Sequence, residues 1–221
     1  MKCLLIKNAD VYAPQPLGIV DILIINDKIA KIGQQLAAPQ GLDCQILDAQ
    51  ERKVVPGYVD QHVHIIGGGG ESGPYSRTPE INLSELTKVG ITTVVGVLGT
   101  DGTSRHNESL LAKARGLTHE GITAYMLTGS YEIPLHNMTG DVRRDIILIN
   151  ECLGIGEVAL SDHRSSQPTR EELEKVLTQA RLGGMLSGKA GVVQFHMGVG
   201  KRGMDAVSYT HLRAHETGAY L

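Results

Sequence analysis

No stretch of this 221-residue chain approaches the length of apolar residues that a membrane span needs, so no bilayer partner is expected. Neither sign of charge dominates. With 21 Lys and Arg against 24 Asp and Glu, the net charge of -3 gives no basic footprint for nucleic acid and no like-charged tail. The opening "MKCLLIKNAD" turns polar too soon for the apolar region of a secretory signal, and the expected location is the cytoplasm. Cysteine is scarce. Cys3, Cys44 and Cys152 are odd in number and lack metal-type spacing, which favours reduced structural thiols over disulfides or zinc ligands. What remains is small-molecule chemistry in a globular chain, 41% hydrophobic and long enough for one large domain or two small ones.

Complete nucleotide signatures are missing as well. The GxGxxG spacing from Gly68 to Gly73 after the first strand of the repeating region lies ahead of the helix expected from Thr78 and does not open it, and no Gly-Lys-Ser/Thr follows the run Gly67 to Gly70. A doubly wound nucleotide-binding sheet therefore has no positive support.

What is present is rhythm. Residues 1–55 read as a small β domain of sandwich type: in "LGIVDILIINDKIAKIG" the turn dipeptide Asn26-Asp27 joins two Ile-rich runs, and "QILDAQERKVV" repeats the run-turn-run pattern. From about residue 56 the pattern changes to parallel βα units. The strands are expected in "VVPGYVDQHVH", "ITTVVGVLG", "ITAYMLTG", "LGIGEVAL" and "GVVQFHMG". Helices are expected in "TPEINLSELTKVG", with Thr78 as cap and Pro79 first, and in "NESLLAKARGLTHEG", "DVRRDIILINECLG" and "TREELEKVLTQARLGG", several ending at glycine. This is an α/β chain, a partial (β/α)8 barrel with about five of the eight strands, over residues 56–206.

The end of the chain reads differently. "VSYTHLRAHET", Val207 to Thr217, resembles the translation of a transposase adaptor used in sequencing libraries. Residues 207–221 are accordingly expected to be a non-native tail, and His211 and His215 are set aside as ligands.

Chemistry is concentrated at strand ends, where barrels of this type build their sites. His62 and His64 point to one side of a strand and two imidazoles so spaced can share a divalent metal. Alone, His-x-His is more often an ordinary pair of rim histidines. Four glycines follow, which read on composition as a flexible loop and, after a metal-type strand end and before Glu71, as a loop that cradles substrate. Glu157 lies in an apolar strand, where a carboxylate is costly unless paired or ligating. A salt-bridged interior Glu fits equally well. His196 stands late in the fifth strand, where a hydrogen-bonded core histidine is the ordinary alternative.

The set His62, His64, Glu157 and His196 resembles the amidohydrolase superfamily. The segments "PGYVDQHVHIIGGGGESGPYSRTPE", "TTVVGVLGTDGTSRHNESLLAK", "AYMLTGSYEIP", "SDHRSSQP" and "FHMG" are similar to the isoaspartyl dipeptidase (β-aspartyl peptidase) family within it. The resemblance implies two divalent metal ions, zinc first among the candidates. His62 and His64 would hold the first ion, His196 the second, and Glu157 would bridge them at a position where the best-known family pattern has a carbamylated lysine. Gly69, Glu71 and Thr100 match positions around the β-linked aspartyl residue, with Glu71 suited to its α-ammonium group. Tyr131 matches a tyrosine at the scissile carbonyl, and Arg164 an arginine that grips the carboxylate of the leaving residue. The implied activity is hydrolysis of a small β-aspartyl dipeptide by a bridging hydroxide. A strand-six histidine and a strand-eight aspartate of the family have no counterpart here, so these 221 residues are expected to be inactive by themselves. Relatives form homo-oligomers, which implies the same for the complete protein. Another amidohydrolase acting on N-acyl amino acids, and a non-catalytic binding or assembly partner, stand as alternatives.

Overall fold

The computed structural model describes residues 2–205 and 207–208. The chain divides into two compact units, Met1–Gly57 and Tyr58–Leu221. Of the segment expected to be a non-native tail, Val207 and Ser208 are described and Val207 is buried; its remainder lies outside the described residues. No described helix is long and apolar enough to cross a membrane.

The first unit is a mixed five-stranded sheet in the order β3-β2-β1-β4, with β5 also on β1. Its strands are β1 (Cys3–Tyr12), β2 (Pro16–Ile25), β3 (Lys28–Gly33), β4 (Cys44–Asp48) and β5 (Lys53–Val54). Alternation along β1 buries Cys3, Leu5, Ala9 and Val11, and Val20 and Ile22 of β2 join them. The expected hairpin is there: Ile25 faces Lys28 across Asn26-Asp27, and Asn26 takes a φ of 55°, which asparagine tolerates.

Two expectations fail in this unit. The runs of "QILDAQERKVV" do not pair with each other, because β4 and β5 both lie parallel to β1. Parallel pairing also sets Cys3 directly opposite Cys44, with Cα atoms 4.5 Å apart, and the two form a disulfide. The expectation of three reduced thiols is corrected for this pair; the odd count concealed a register that sequence spacing does not reveal. Cys152 is a free, buried thiol whose burial pushes its pKa up to about 12, as expected of an inert structural cysteine.

The second unit is a curled parallel half-barrel. Its five strands are β6 (Tyr58–Val63), β7 (Ile91–Gly96), β8 (Thr123–Thr128), β9 (Cys152–Leu160) and β10 (Val192–Met197), each beside its neighbour in sequence. Helices α1 (Leu83–Thr87), α2 (Asn107–Glu120), α3 (Val142–Leu148) and α4 (Arg170–Ser187) connect them. Side chains alternate as parallel strands require: Val94 joins the core beneath the helices, while Val95, with Val97 and Leu127, forms a second cluster.

Helix α2 buries Asn107, Leu110, Ala114 and Leu117, a spacing of three and four that makes one face, and Gly121 ends it. Truncating the fully buried Leu117 to alanine would cost about 2–5 kcal/mol. Helix α4 begins at a capping box of Thr169 and Glu172 and runs past the Gly183-Gly184 pair to a left-handed Gly188. Helix α3 stops at Leu148, earlier than expected, since the chain must turn to enter β9 at Cys152.

Thr78 does not cap a helix. Helix α1 starts at Leu83 with an Asn82–Glu85 capping box, while the Thr78 hydroxyl accepts from the Gly68 N–H at 2.7 Å and its amide donates to Gly68 O at 2.9 Å. The threonine serves the glycine loop instead.

Candidate metal centre

His62, in β6, and His64, just beyond it, meet Glu157 from the middle of β9. His62 Nε2 is 3.2 Å and His64 Nε2 3.9 Å from Glu157 Oε2, and the three ligand atoms fall within 4.8 Å of one another. Two ligands on one tetrahedral zinc ion lie about 3.3 Å apart when each bond is about 2.0–2.1 Å. The spacing therefore admits a divalent cation.

The hydrogen bonding tells the same story. Glu157 is 2% exposed, yet its Oε2 has no hydrogen-bond partner among the described residues. His62 is near enough, but its geometry is that of a close ion-pair contact and not of a hydrogen bond. A buried carboxylate oxygen left so is expensive, and a cation between it and the imidazoles removes the expense.

His196 approaches the other oxygen of the same carboxylate. Its Nδ1 is 2.8 Å from Glu157 Oε1 and 2.8 Å from the Tyr131 hydroxyl. Glu157 thus faces His62 and His64 with one oxygen and His196 with the other. Tyr131 is buried, and its pKa is raised above the ordinary value of 10.0 first by that burial and then by the Glu157 charge. It remains a protonated donor.

Around this centre lie the groups expected to meet substrate. Gly69, Glu71 and Thr100 line a cavity of about 360 Å³ together with Arg77, Asp101 and Ser104. Two glycines are required by close approach: a Cβ on Gly69, at a φ of 69°, would lie 2.6 Å from Ser76 O, and one on Gly99, at 75°, would lie 2.5 Å from the His64 ring. Arg164 Nη1 is 3.2 Å from Glu71 Oε1, and its guanidinium stands 5.1 Å from the Tyr131 ring centre.

Sequence reasoning missed three residues. Arg105 is 4% exposed and donates to Gly68 O at 2.8 Å and Gly69 O at 3.2 Å, so the glycine loop is anchored and not free-swinging. Asp101 binds both Arg77 and Arg105; burial pushes its carboxyl up, but bonds from the Ser104 hydroxyl and amide, the Thr103 amide and the Arg105 charge bring it below the usual range. Asp162 receives Arg164 at 2.9 Å and 3.0 Å, bonds that hold it far below the usual carboxylate range. In sequence all three look like solvated loop charges, and the one available signal was the closeness of Asp162 to Arg164 in "SDHR".

Imidazoles at the end of the first parallel strand, a buried carboxylate on the fourth and a histidine on the fifth define a class. The chain has the curled half-barrel fold of its amidohydrolase neighbours. Among them, it is similar to the β-aspartyl dipeptidase of Fervidobacterium islandicum AW-1, at 44% identity and a TM-score of 0.90, over 96% of this chain and 57% of that one. A second structure of such an enzyme from that organism, in complex with a β-Asp-Leu dipeptide, matches at 46% and 0.88 over 93% of this chain and 53% of that one. A dihydroorotase of Staphylococcus aureus is 39% identical over 90 residues, 41% of this chain and 20% of the enzyme. No family model matches. The chain spans a little over half the length of the two dipeptidase structures.

Proposed function

We propose that the whole protein hydrolyses β-aspartyl dipeptides at a centre holding two divalent metal ions, zinc first among the candidates. The observation that carries this reading is the Glu157 carboxylate, buried, with one oxygen beside His62 and His64 that has no hydrogen bond among the described residues and the other against His196. Likeness to dipeptidase structures over nearly the whole of this chain supports the substrate class. In this reading residues 1–55 and 56–206 are separate domains, which the division of the chain at Gly57 and Tyr58 supports.

His62 and His64 would hold one ion, His196 the other, and Glu157 both. Ions there supply Lewis acidity and make a water nucleophilic at neutral pH. The protein's own groups do the rest. Tyr131, kept protonated by burial, aims its O–H into the site and donates to the peptide carbonyl oxygen as that oxygen gains charge. Glu71 receives the α-ammonium group beside Gly69 and Thr100, and the planar fork of Arg164 receives the carboxylate of the leaving residue. Glu71 and Arg164 lie 3.2 Å apart, and a dipeptide that brings both an ammonium and a carboxylate exchanges their mutual pairing for its own.

The test is hydrolysis of β-Asp-Leu by the whole protein, beside α-Asp-Leu and N-acetyl-leucine. Clear preference for the β-linked substrate is expected. Preference for either of the others would overturn the assignment.

A further inference from the structure

His196 stands between two pairs of groups, and its proton inventory does not close. Nδ1 meets Glu157 Oε1 and the Tyr131 hydroxyl; Nε2 meets Asp162 Oδ2 at 3.2 Å and Arg164 Nη2 at 3.1 Å. A neutral imidazole has one N–H and one lone pair. With the proton on Nδ1, the ring donates to Glu157 and accepts from Arg164, and Asp162 Oδ2 faces a lone pair. With the proton on Nε2, the ring donates to Asp162 and accepts from Tyr131. Nδ1 and Glu157 Oε1 then face each other with lone pairs only, 2.8 Å apart, the arrangement that a shared cation resolves.

Which form prevails depends on Asp162. Its side chain is 7% exposed, and both oxygens are engaged: Oδ1 accepts from the Arg164 amide at 2.8 Å and from Arg164 Nε at 2.9 Å, and Oδ2 accepts from Arg164 Nη2 at 3.0 Å. The exposed His163 ring adds a looser contact, Nδ1 to Oδ1 at 3.4 Å. Nearby backbone leaves Asp162 little freedom, since a Cβ on Gly198 would lie 2.6 Å from its Cα and Cβ. It is a rigid acceptor for one ring and one guanidinium.

We propose that Asp162 is the positioning residue of this centre: Oδ2 draws the His196 proton onto Nε2, presenting the Nδ1 lone pair to the cation site, while both oxygens fix the plane of the Arg164 guanidinium. Cation binding and recognition of the substrate carboxylate then share one anchor. When His196 donates to Asp162, Arg164 Nη2 keeps its bond to Asp162 Oδ2, and its other hydrogen, no longer accepted by the ring, is left for substrate. The inference rests on the reading of His196 as an ion ligand and of Arg164 as the carboxylate group.

The test uses the full chain and zinc alone. Nitrogen-15 correlation spectra of the histidine rings, with a His196→Gln variant to assign the signals, report the tautomer with and without zinc. Competition with a chromogenic chelator reports affinity. In the zinc-loaded wild type the His196 proton is expected on Nε2. Asp162→Asn is expected to weaken zinc binding about 10–100-fold and to lose that preference. A proton on Nδ1 in the zinc-loaded wild type overturns the proposal, even if the variant fails to fold. Equal affinity and an unchanged tautomer in a folded Asp162→Asn overturn it too. No zinc binding by the wild type overturns both this proposal and the metal-centre reading, whereas zinc bound with His196 protonated on Nε2, in a whole protein that ignores β-Asp-Leu, sinks only the substrate assignment.

Discussion

Replacing Arg105 with methionine removes the guanidinium beneath the glycine loop while keeping an unbranched apolar chain. Its partners do not lose equally. Gly68 O keeps the Thr78 amide, and Asp101 keeps Arg77 and the Ser104 hydroxyl and amide. Gly69 O loses its Arg105 donor, but Gly69 is half-buried and lines the cavity, so water replaces that donor at little cost. Breaking a buried ion pair from one side costs about 3–5 kcal/mol, and the lower end applies here because Asp101 has a second cation. The loop is thus expected to lose about 3 kcal/mol of local stability. Because the chain has two units, a single denaturation midpoint would mix their transitions, and a local probe is needed. The Thr78 amide, bonded to Gly68 O, is that probe: its hydrogen exchange should accelerate about 100-fold, while the Leu173 amide at the start of α4 stays the same. Acceleration of less than threefold would show that the loop holds its shape without Arg105.

Other outcomes follow from the same geometry. Glu157→Ala should lose bound metal and activity together in the whole protein, by elemental analysis and β-Asp-Leu turnover; unchanged metal content would return Glu157 to a purely structural role. Tyr131→Phe should lower kcat about 100-fold with little change in KM, as expected of a donor that acts on developing charge, and an unchanged kcat would remove it from the chemistry. In the first unit, the Lys7 hydrogen bond, opposed by burial and aided by the Asn8 and Leu36 amides, holds the Asp21 carboxyl below its usual 3.8. The unfolded chain therefore takes up that proton first, so the contribution of Asp21 is complete above about pH 4 and is lost as the solution becomes more acid. The stability gap between wild type and Asp21→Asn should narrow from pH 6 to pH 3; a constant gap would contradict the linkage.

The five parallel strands were legible because each is a β-branched run flanked by helix-length segments, and the pattern needs no knowledge of partners. The pairing of His62 with His64 was legible for a similar reason, since alternation along one strand is local. Long-range choices were not. Nothing near Thr78 shows that its hydroxyl is claimed by Gly68, and nothing near Cys3 shows which strand will lie beside it. Arg105 and Asp162 were missed because a charged loop residue is usually solvated, and only the fold reveals that each is buried against backbone carbonyls or a guanidinium. The family resemblance marked Tyr131 and Arg164, which local chemistry alone would have passed over.

The candidate ligands come from the first, fourth and fifth strands of a sheet in which each strand pairs only with its sequence neighbours. Strand-to-strand hydrogen bonds therefore carry no direct link between His62 and Glu157, which are separated by two intervening strands and most of the helices. An ion held by both would act as a clasp across the curl of the sheet. It would close a loop of nearly one hundred residues in a single coordination event, so the grip on the metal would measure how far the half-barrel has drawn itself into shape.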